Sequence, residues 1–200
     1  MNDDVIVINT NSPTKIVNQE EKIEALPVFS NFDNSNKVLF ERLSEFDVTQ
    51  IDKPEIQLFI KRLKKTMVDY RGLGLSANQC GYKFRMFVMG SEHEQMVCIN
   101  PLIKEKGDID DSTEKMREGC LSYPGLFLYV PRYKKVLAEY HDEMGNIKTQ
   151  WFEGLTAQVY QHELDHMNGI VYTEHVGPLA LKMAKDKRQK FMKTLKRKQA

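Results

Sequence analysis

Long apolar runs are absent from this 200-residue chain. No stretch approaches the ~18–20 apolar residues that a membrane-spanning helix needs. The first residues also lack the basic segment and apolar block of a secretory signal, and they lack the arginines of a transit peptide. We therefore predict a cytoplasmic protein that does not insert into a membrane.

Cysteine is scarce too, with only Cys80, Cys98 and Cys120 in the chain. A small odd number without a secretion signal argues against a framework of disulfides. A single cysteine that meets histidines in the fold is instead a candidate metal ligand or nucleophile.

Charge is nearly balanced at +1 but unevenly distributed. Residues 177–200 hold nine Lys or Arg and one acid, a net +8, so the rest of the chain carries −7. We predict a flexible N-terminal arm at 1–24, a folded domain at 25–176 and a basic C-terminal helix or tail at 177–200. Basic clusters bind phosphate, so this tail predicts contact with the ribosome or ribosomal RNA, with a solvated tail as the alternative.

Apolar periodicity indicates an α+β fold. A helix start is predicted within 51–55, with Asp52 as its cap and Pro54 in the first turn, and the helix should end before Gly72. Four strand-like runs follow, at 84–89, 96–99, 136–140 and 147–152. A second helix at 155–167 should stop at Gly169. We expect mainly antiparallel sheets packed around this central helix, with an N-terminal helix and a basic C-terminal helix.

The central helix contains the run QHELDH at 161–166. His162 and His166, four residues apart, lie on one helical face within reach of a single ion. Glu163 is offset by one position, so it can take a proton from water beside that ion. The run predicts a metal-dependent hydrolase, and two surface histidines on an ordinary helix are the alternative.

A catalytic metal site needs a third protein ligand and an open position. The longer zinc-protease pattern requires a histidine where this chain has Tyr172, so that pattern fails. Upstream, the run REGCLS offers the thiolate of Cys120, and Gly119 permits close backbone approach. The run GLGLSANQ at 72–79 adds two glycines and the amide of Gln79. Taken singly, a core cysteine and a glycine turn explain these two runs as well.

Together, in this order and spacing, GLGLSANQ, EGCLS and HELDH closely resemble the motifs of the peptide deformylase family. The resemblance covers roughly Leu26 to Tyr172. Ser76 departs from the usual alanine, and we expect this small residue to be tolerated. The family resemblance implies removal of the N-formyl group from the initiator methionine of nascent peptides, with release of formate.

The resemblance also implies the roles of the site residues. Cys120, His162 and His166 would hold one divalent ion, with Fe²⁺ as the native metal and Zn²⁺, Ni²⁺ or Co²⁺ as alternatives. Glu163 would act as general base and then acid. The amide of Gln79 and the backbone N–H of Leu121 would donate to the formyl oxygen as charge develops on it.

The same resemblance assigns the N-formylmethionyl peptide to a cleft between these motifs. The substrate-binding residues would be Leu73, Gly74, Gly119, Leu155 and Val159. Leu73 and Gly74 would pair with the peptide backbone like an added strand. Leu155 and Val159 share the face of His162 and are expected to line the methionine pocket, although an ordinary core role is equally consistent with their positions.

Glu118 could bind the metal, but the resemblance implies an ion pair with Arg132 that braces the Cys120 strand.

Two rival functions stay open at this point. A general metallopeptidase is disfavoured by the missing third histidine, and an inactive relative that only binds peptide N-termini is disfavoured by the complete set of catalytic residues.

Overall fold

The computed structural model describes residues 23–32, 35–107 and 113–199. Most of the predicted arm at 1–24 therefore lies outside the described residues. The helices are α1 (Pro54–Asp69), α2 (Gly154–Met167) and α3 (Pro178–Gln199). The strands are β1 (Gly74–Ser76), β2 (Met86–Gly90), β3 (Gln95–Lys106), β4 (Thr113–Cys120), β5 (Tyr123–Tyr133), β6 (Lys135–His141) and β7 (Ile147–Glu153).

The strands form two antiparallel sheets. Five strands are ordered β1-β2-β3-β6-β7, and β4 pairs with β5 in a separate ribbon. Strand β1 is an edge strand, paired only with β2 among the described strands. Helix α2 contacts β1, β2, β5, β6 and β7, so it lies between the two sheets. The predicted α+β fold around a central helix is confirmed.

Helix α1 covers one side of the five-stranded sheet. Its buried residues recur at helical spacing: Ile56, Phe59, Ile60, Leu63 and Met67. The predicted cap is wrong, because Lys53 is the N-cap and makes no side-chain capping bond. Asp52 lies one position too early, inside a turn closed by the Lys53 N–H donating to the Gln50 carbonyl. Pro54 then begins the helix, since its fixed φ suits a first-turn position.

Helix α2 ends where the sequence predicts. Asn168 is its C-cap, and Gly169 follows with φ of 74°. A Cβ at Gly169 would lie 2.7 Å from the Phe40 carbonyl oxygen. The backbone at Phe40 therefore leaves no room for a side chain at this position. The Met167 carbonyl accepts a bond from the Leu43 N–H. The N-terminal segment therefore closes over the end of the central helix.

Helix α3 packs on β5 through its first half. Leu181 and Ala184 lie against a buried cluster that includes Leu126, Leu128 and Tyr172. The remaining length of α3 presents exposed lysines. In the described parts of the chain, no helix combines the length and apolar character needed to cross a membrane.

Candidate metal centre

Two chain segments bring a cysteine and two histidines together. Cys120 ends β4, and His162 and His166 lie one turn apart on α2. The possible ligand atoms of the three residues lie within 4.8 Å of one another, and Cys120 Sγ is 3.4 Å from His166 Nε2. A metal–ligand bond is about 2.0–2.3 Å long, so one ion can contact all three after small side-chain adjustments.

The protonation of His162 suits metal binding. Its Nδ1 is 2.9 Å from Glu118 Oε2. Burial alone would raise the pKa of Glu118, but hydrogen bonds from His162 and Arg132 hold it at about 2. An ionised carboxylate only accepts, so Nδ1 of His162 carries the proton and donates. In the neutral ring Nε2 is then the nitrogen with the lone pair that can bind an ion, and this pairing also fixes the ring orientation.

Glu118 belongs to a buried chain of charges. Arg132 donates to its carboxylate twice, from Nε at 2.7 Å and from Nη2 at 3.0 Å. The remaining Arg132 nitrogen, Nη1, donates to Asp165 Oδ2 at 2.6 Å, and His175 Nε2 is 2.7 Å from the same oxygen. Sequence reasoning anticipated Glu118 and Arg132 as partners but missed Asp165, which lies inside HELDH itself. An acid beside a ligand histidine is the signal that was available.

Glu163 projects into the site from between the histidines. Its side chain is buried, and burial raises its pKa to about 7. Among the described residues, Oε2 of Glu163 has no hydrogen-bond partner. A Cβ on Gly74 would lie 2.5 Å from Oε1 of Glu163, so the glycine makes room for this carboxylate. A carboxyl group with a pKa near neutrality can both accept and return a proton.

Gln79 is held by both ends of its amide. Its Oε1 accepts from the backbone N–H of Ser76 at 3.0 Å. Its Nε2 therefore faces the other way, 3.3 Å from Cys120 Sγ and 3.3 Å from Ser122 Oγ. The hydroxyl of Ser76 lies 2.8 Å from Asn78 Oδ1 and 3.0 Å from Gln79 Oε1. This serine adds a contact that fixes the donor of Gln79 beside the cysteine.

A cavity of about 640 Å³ opens onto this group of residues. All five predicted substrate-binding residues line it, and so does Leu121. Leu73 and Leu155 are half exposed at the mouth, whereas Val159 is half-buried. Sequence reasoning missed Phe127 and Gln158, which also line the cavity. Phe127 lies on β5, where nothing in the local pattern shows that its ring covers Gly119.

The tight contact at Gly119 is made by that ring. A Cβ on Gly119 would lie 2.7 Å from Phe127 Cε1. The guanidinium of Arg117 also lies over the Phe127 ring, 4.2 Å from its centroid. Gln158 Nε2 donates to the Arg117 carbonyl at 3.2 Å, which joins α2 to β4 at the cavity wall.

Comparison with known proteins identifies the arrangement. The family model described as polypeptide deformylase matches residues 32–182. A curated peptide deformylase of Thermotoga maritima is 36% identical over 150 residues, which are 75% of this chain and 89% of that protein. The region that the family model matches, 32–182, contains every residue discussed above as part of the metal centre.

Solved structures agree. A peptide deformylase from Legionella pneumophila has a TM-score of 0.74 and 31% identity, covering 86% of this chain and 98% of its own. A class I type b peptide deformylase from Acinetobacter baumannii, solved with bound Met-Ala-Ser, has a TM-score of 0.69 and 25% identity, covering 76% and 98%.

Proposed function

The chain belongs to the peptide deformylase family, and on that premise we propose how its own residues remove the N-formyl group from the initiator methionine of nascent peptides. Hydrolysis of this amide releases formate and leaves a free α-amine on the peptide. The observation that carries the proposal is the meeting of a Cys-His-His group with a buried carboxylate at the wall of one cavity.

Cys120, His162 and His166 would hold one divalent ion. Thiolate and imidazole suit iron, zinc, nickel and cobalt alike, and the resemblance to the family favours Fe²⁺ as the native metal. When bound, the ion supplies Lewis acidity, which makes water a stronger nucleophile near neutral pH. The hydrogen bond between His162 and Glu118 supports this assignment, because it leaves Nε2 available as the ligand atom.

Glu163 would move the proton. Its carboxylate takes the proton of the attacking water as the oxygen adds to the formyl carbon. It then returns that proton to the amine nitrogen as the C–N bond breaks. A pKa of about 7, raised by burial, supports both steps near neutral pH.

Gln79 and Leu121 would stabilise the charge that develops on the formyl oxygen. Nε2 of Gln79 is already turned towards the site, because Ser76 holds the opposite end of the amide. Each preorganised donor of this kind contributes about 3–4 kcal/mol to transition-state stabilisation. Leu121 follows Cys120 directly, so its backbone N–H is positioned by the same turn as the ligand.

The peptide would lie along the edge of β1 that no described strand pairs with. Gly74 begins β1 and Leu73 precedes it, and an added strand can pair along such an edge. The methionine side chain would enter the cavity between Gly119, Leu155 and Val159. The solved relative with bound Met-Ala-Ser supports a peptide of this type.

Formate release from formyl-Met-Ala-Ser tests the proposal. The protein is purified anaerobically, its metal content is measured, and turnover is followed before and after chelation and reloading with Fe²⁺ or Ni²⁺. We expect about one equivalent of metal per chain and activity that depends on it. Glu163→Gln should retain the metal and lose turnover. Turnover that survives in metal-replete Glu163→Gln contradicts the assigned proton transfer, and peptide binding without turnover in the wild type indicates an inactive relative.

We further propose that residues 177–200 dock the enzyme on the ribosome, in the cytoplasm, as a segment distinct from the catalytic domain at 25–176. The support is a row of exposed cations on α3: Lys182, Lys185, Lys187, Lys190, Lys193 and Arg197. Co-sedimentation with ribosomes should weaken with salt and on Lys187→Glu/Lys190→Glu exchange. Binding that is unchanged by the double exchange and by salt contradicts this docking role.

A further inference from the structure

Two arginines at the mouth of the cavity have no role in the mechanism above. Arg71 and Arg117 both line the cavity and are both exposed. In the described ranges, neither guanidinium forms an ion pair with a carboxylate. The other charged residues among the described lining residues are Glu118 and Glu163, which are buried within the metal centre. The accessible charge at the mouth is therefore positive.

The two arginines are placed beside the two backbone segments that would flank the peptide. Arg71 precedes Gly72 and Gly74 at the start of β1, and Arg117 lies two residues before Gly119 on β4. The Arg117 guanidinium and Gly119 both contact the Phe127 ring, so the Arg117 side chain lies beside Gly119. A peptide leaving the cavity after its first residue passes between these segments.

Arg117 is held in place by contacts that leave its donors free. Its guanidinium stacks on the Phe127 ring with 4.2 Å between Cζ and the ring centroid, and that ring is packed against Gly119. Stacking occupies the face of a guanidinium, whereas its five N–H groups lie in the plane and point outwards. Planar forks of this kind bind carboxylates in a two-point geometry.

We propose that Arg71 and Arg117 make the enzyme prefer peptides with an acidic side chain at the third or fourth position, shortly after the formyl-methionine. This preference rests on the proposed deformylase function and defines its substrate class more narrowly. An acidic side chain that reaches the mouth would meet the two guanidinium groups as its accessible charges. A lysine at the same peptide position would face two guanidinium groups and be disfavoured.

Peptides amidated at the C-terminus test this preference, because a free terminal carboxylate would itself engage the arginines. The set is formyl-Met-Ala-Gln-Gln-amide and its variants with Glu or Lys at position three or four. We expect kcat/KM for a Glu peptide to exceed that of its Gln counterpart by about 3- to 10-fold at low salt, since exposed pairs interact weakly. The ratio should approach one between about 0.05 and 0.5 M salt.

Variants assign the preference to the two residues. Arg71→Gln/Arg117→Gln should lower the Glu-to-Gln ratio to about one while the neutral peptide is still turned over. Arg71→Lys/Arg117→Lys keeps the charge and should retain part of the preference. Lys61→Gln removes a cation from an exposed position on α1, outside the cavity wall, and should leave the ratio unchanged.

The outcomes separate this inference from the function beneath it. Equal turnover of Glu, Gln and Lys peptides by the wild type overturns the preference and leaves the deformylase function standing. A preference that persists in the double Gln variant overturns its assignment to Arg71 and Arg117. Absence of turnover with every formylated peptide, in metal-loaded protein, overturns both.

Discussion

Gly74 and Glu163 are packed so closely that a Cβ on the glycine would lie 2.5 Å from Oε1 of the carboxylate. Gly74→Ala should therefore displace Glu163 while the fold is kept. Misplacing a reacting group by about 1 Å costs on the order of 10²-fold in rate, and we expect a loss of this size in formate release. The change should appear mainly in kcat, with metal content unaltered.

Gly177→Ala is the matched control, because a Cβ there would meet no atom within 4 Å. It should behave as the wild type in rate and in thermal unfolding. If Gly74→Ala releases formate at the wild-type rate, the close packing does not position Glu163 and the reasoning fails.

Gln79 and Ser76 allow a test of the hydrogen-bond donor to the formyl oxygen. Gln79→Ala removes the donor near Cys120 and should lower kcat by about 10²–10³-fold, as loss of an oxyanion donor does. Ser76→Ala removes only the hydroxyl, and the backbone N–H of Ser76 still holds Gln79 Oε1. Its kcat should fall less than about 3-fold, because a neutral hydrogen bond contributes about 1 kcal/mol or less. Equal losses in both variants would show that the hydroxyl, and not the main chain, orients the amide.

The sequence predicted the local parts of this site well, because their signals are local. The histidine pair on α2 and the stop at Gly169 each follow from helical spacing or glycine conformation within a few residues. Cys120 could be joined to the histidines only through the family resemblance. Nothing in the spacing shows that the end of β4 meets α2.

What the sequence did not predict depends on contacts between distant segments. Asp165 reaches Arg132 across 33 residues, and the Phe127 ring covers Gly119 from the neighbouring strand. The first contact depends on how α2 packs against β5, and the second on the pairing of β4 with β5. The wrong cap at Asp52 has a local cause, because a turn closed by the Lys53 N–H and the Gln50 carbonyl places Lys53 at the N-cap.

The three cysteines differ enough in environment to allow a direct test of the metal centre. Burial raises the pKa of Cys80 to about 12 and raises that of Cys98. Cys120 is partly exposed and lines the cavity. In folded, metal-free protein a thiol reagent should modify Cys120 rapidly, because Cys120 is accessible. The buried thiols of Cys80 and Cys98 should react slowly.

Metal loading should suppress that reaction, and Cys120→Ser should abolish it in the metal-free protein. Mass spectrometry of the modified peptide identifies the residue without reference to activity. Rapid labelling of Cys80 or Cys98, or labelling of Cys120 that metal does not affect, would contradict the proposed ligand set.

Glu118 supports a prediction about metal affinity. Glu118→Gln removes the negative charge that faces His162 Nδ1 and leaves Asp165 as the carboxylate bonded to Arg132 among the described residues. Losing such a carboxylate behind a ligand histidine typically weakens metal binding by about 10–100-fold. Competition with a chelator measures this directly. Glu153→Gln, at an exposed carboxylate paired with Lys135, is the control and should bind metal as the wild type does. Equal affinities would remove Glu118 from any role in positioning His162.

Arg188 couples helix α3 to the rim of the cavity. Its Nε donates to the Pro124 carbonyl at 2.8 Å, and its guanidinium lies 3.6 Å from the centroid of the Phe32 ring. Pro124 and Gly125 line the cavity, so this contact braces the start of β5 from outside. Arg188→Ala should lower the free energy of unfolding by about 1–2 kcal/mol through loss of the hydrogen bond and the cation–π contact.

The same change should raise KM for formylated peptides more than it lowers kcat, because the rim touches substrate and Glu163 lies deeper. Urea unfolding and steady-state formate release measure the two effects. Lys187→Ala removes the same charge one position away, at an exposed site on α3, and should change neither. If Lys187→Ala and Arg188→Ala raise KM equally, the effect comes from the charge of α3 and not from the contact with Pro124.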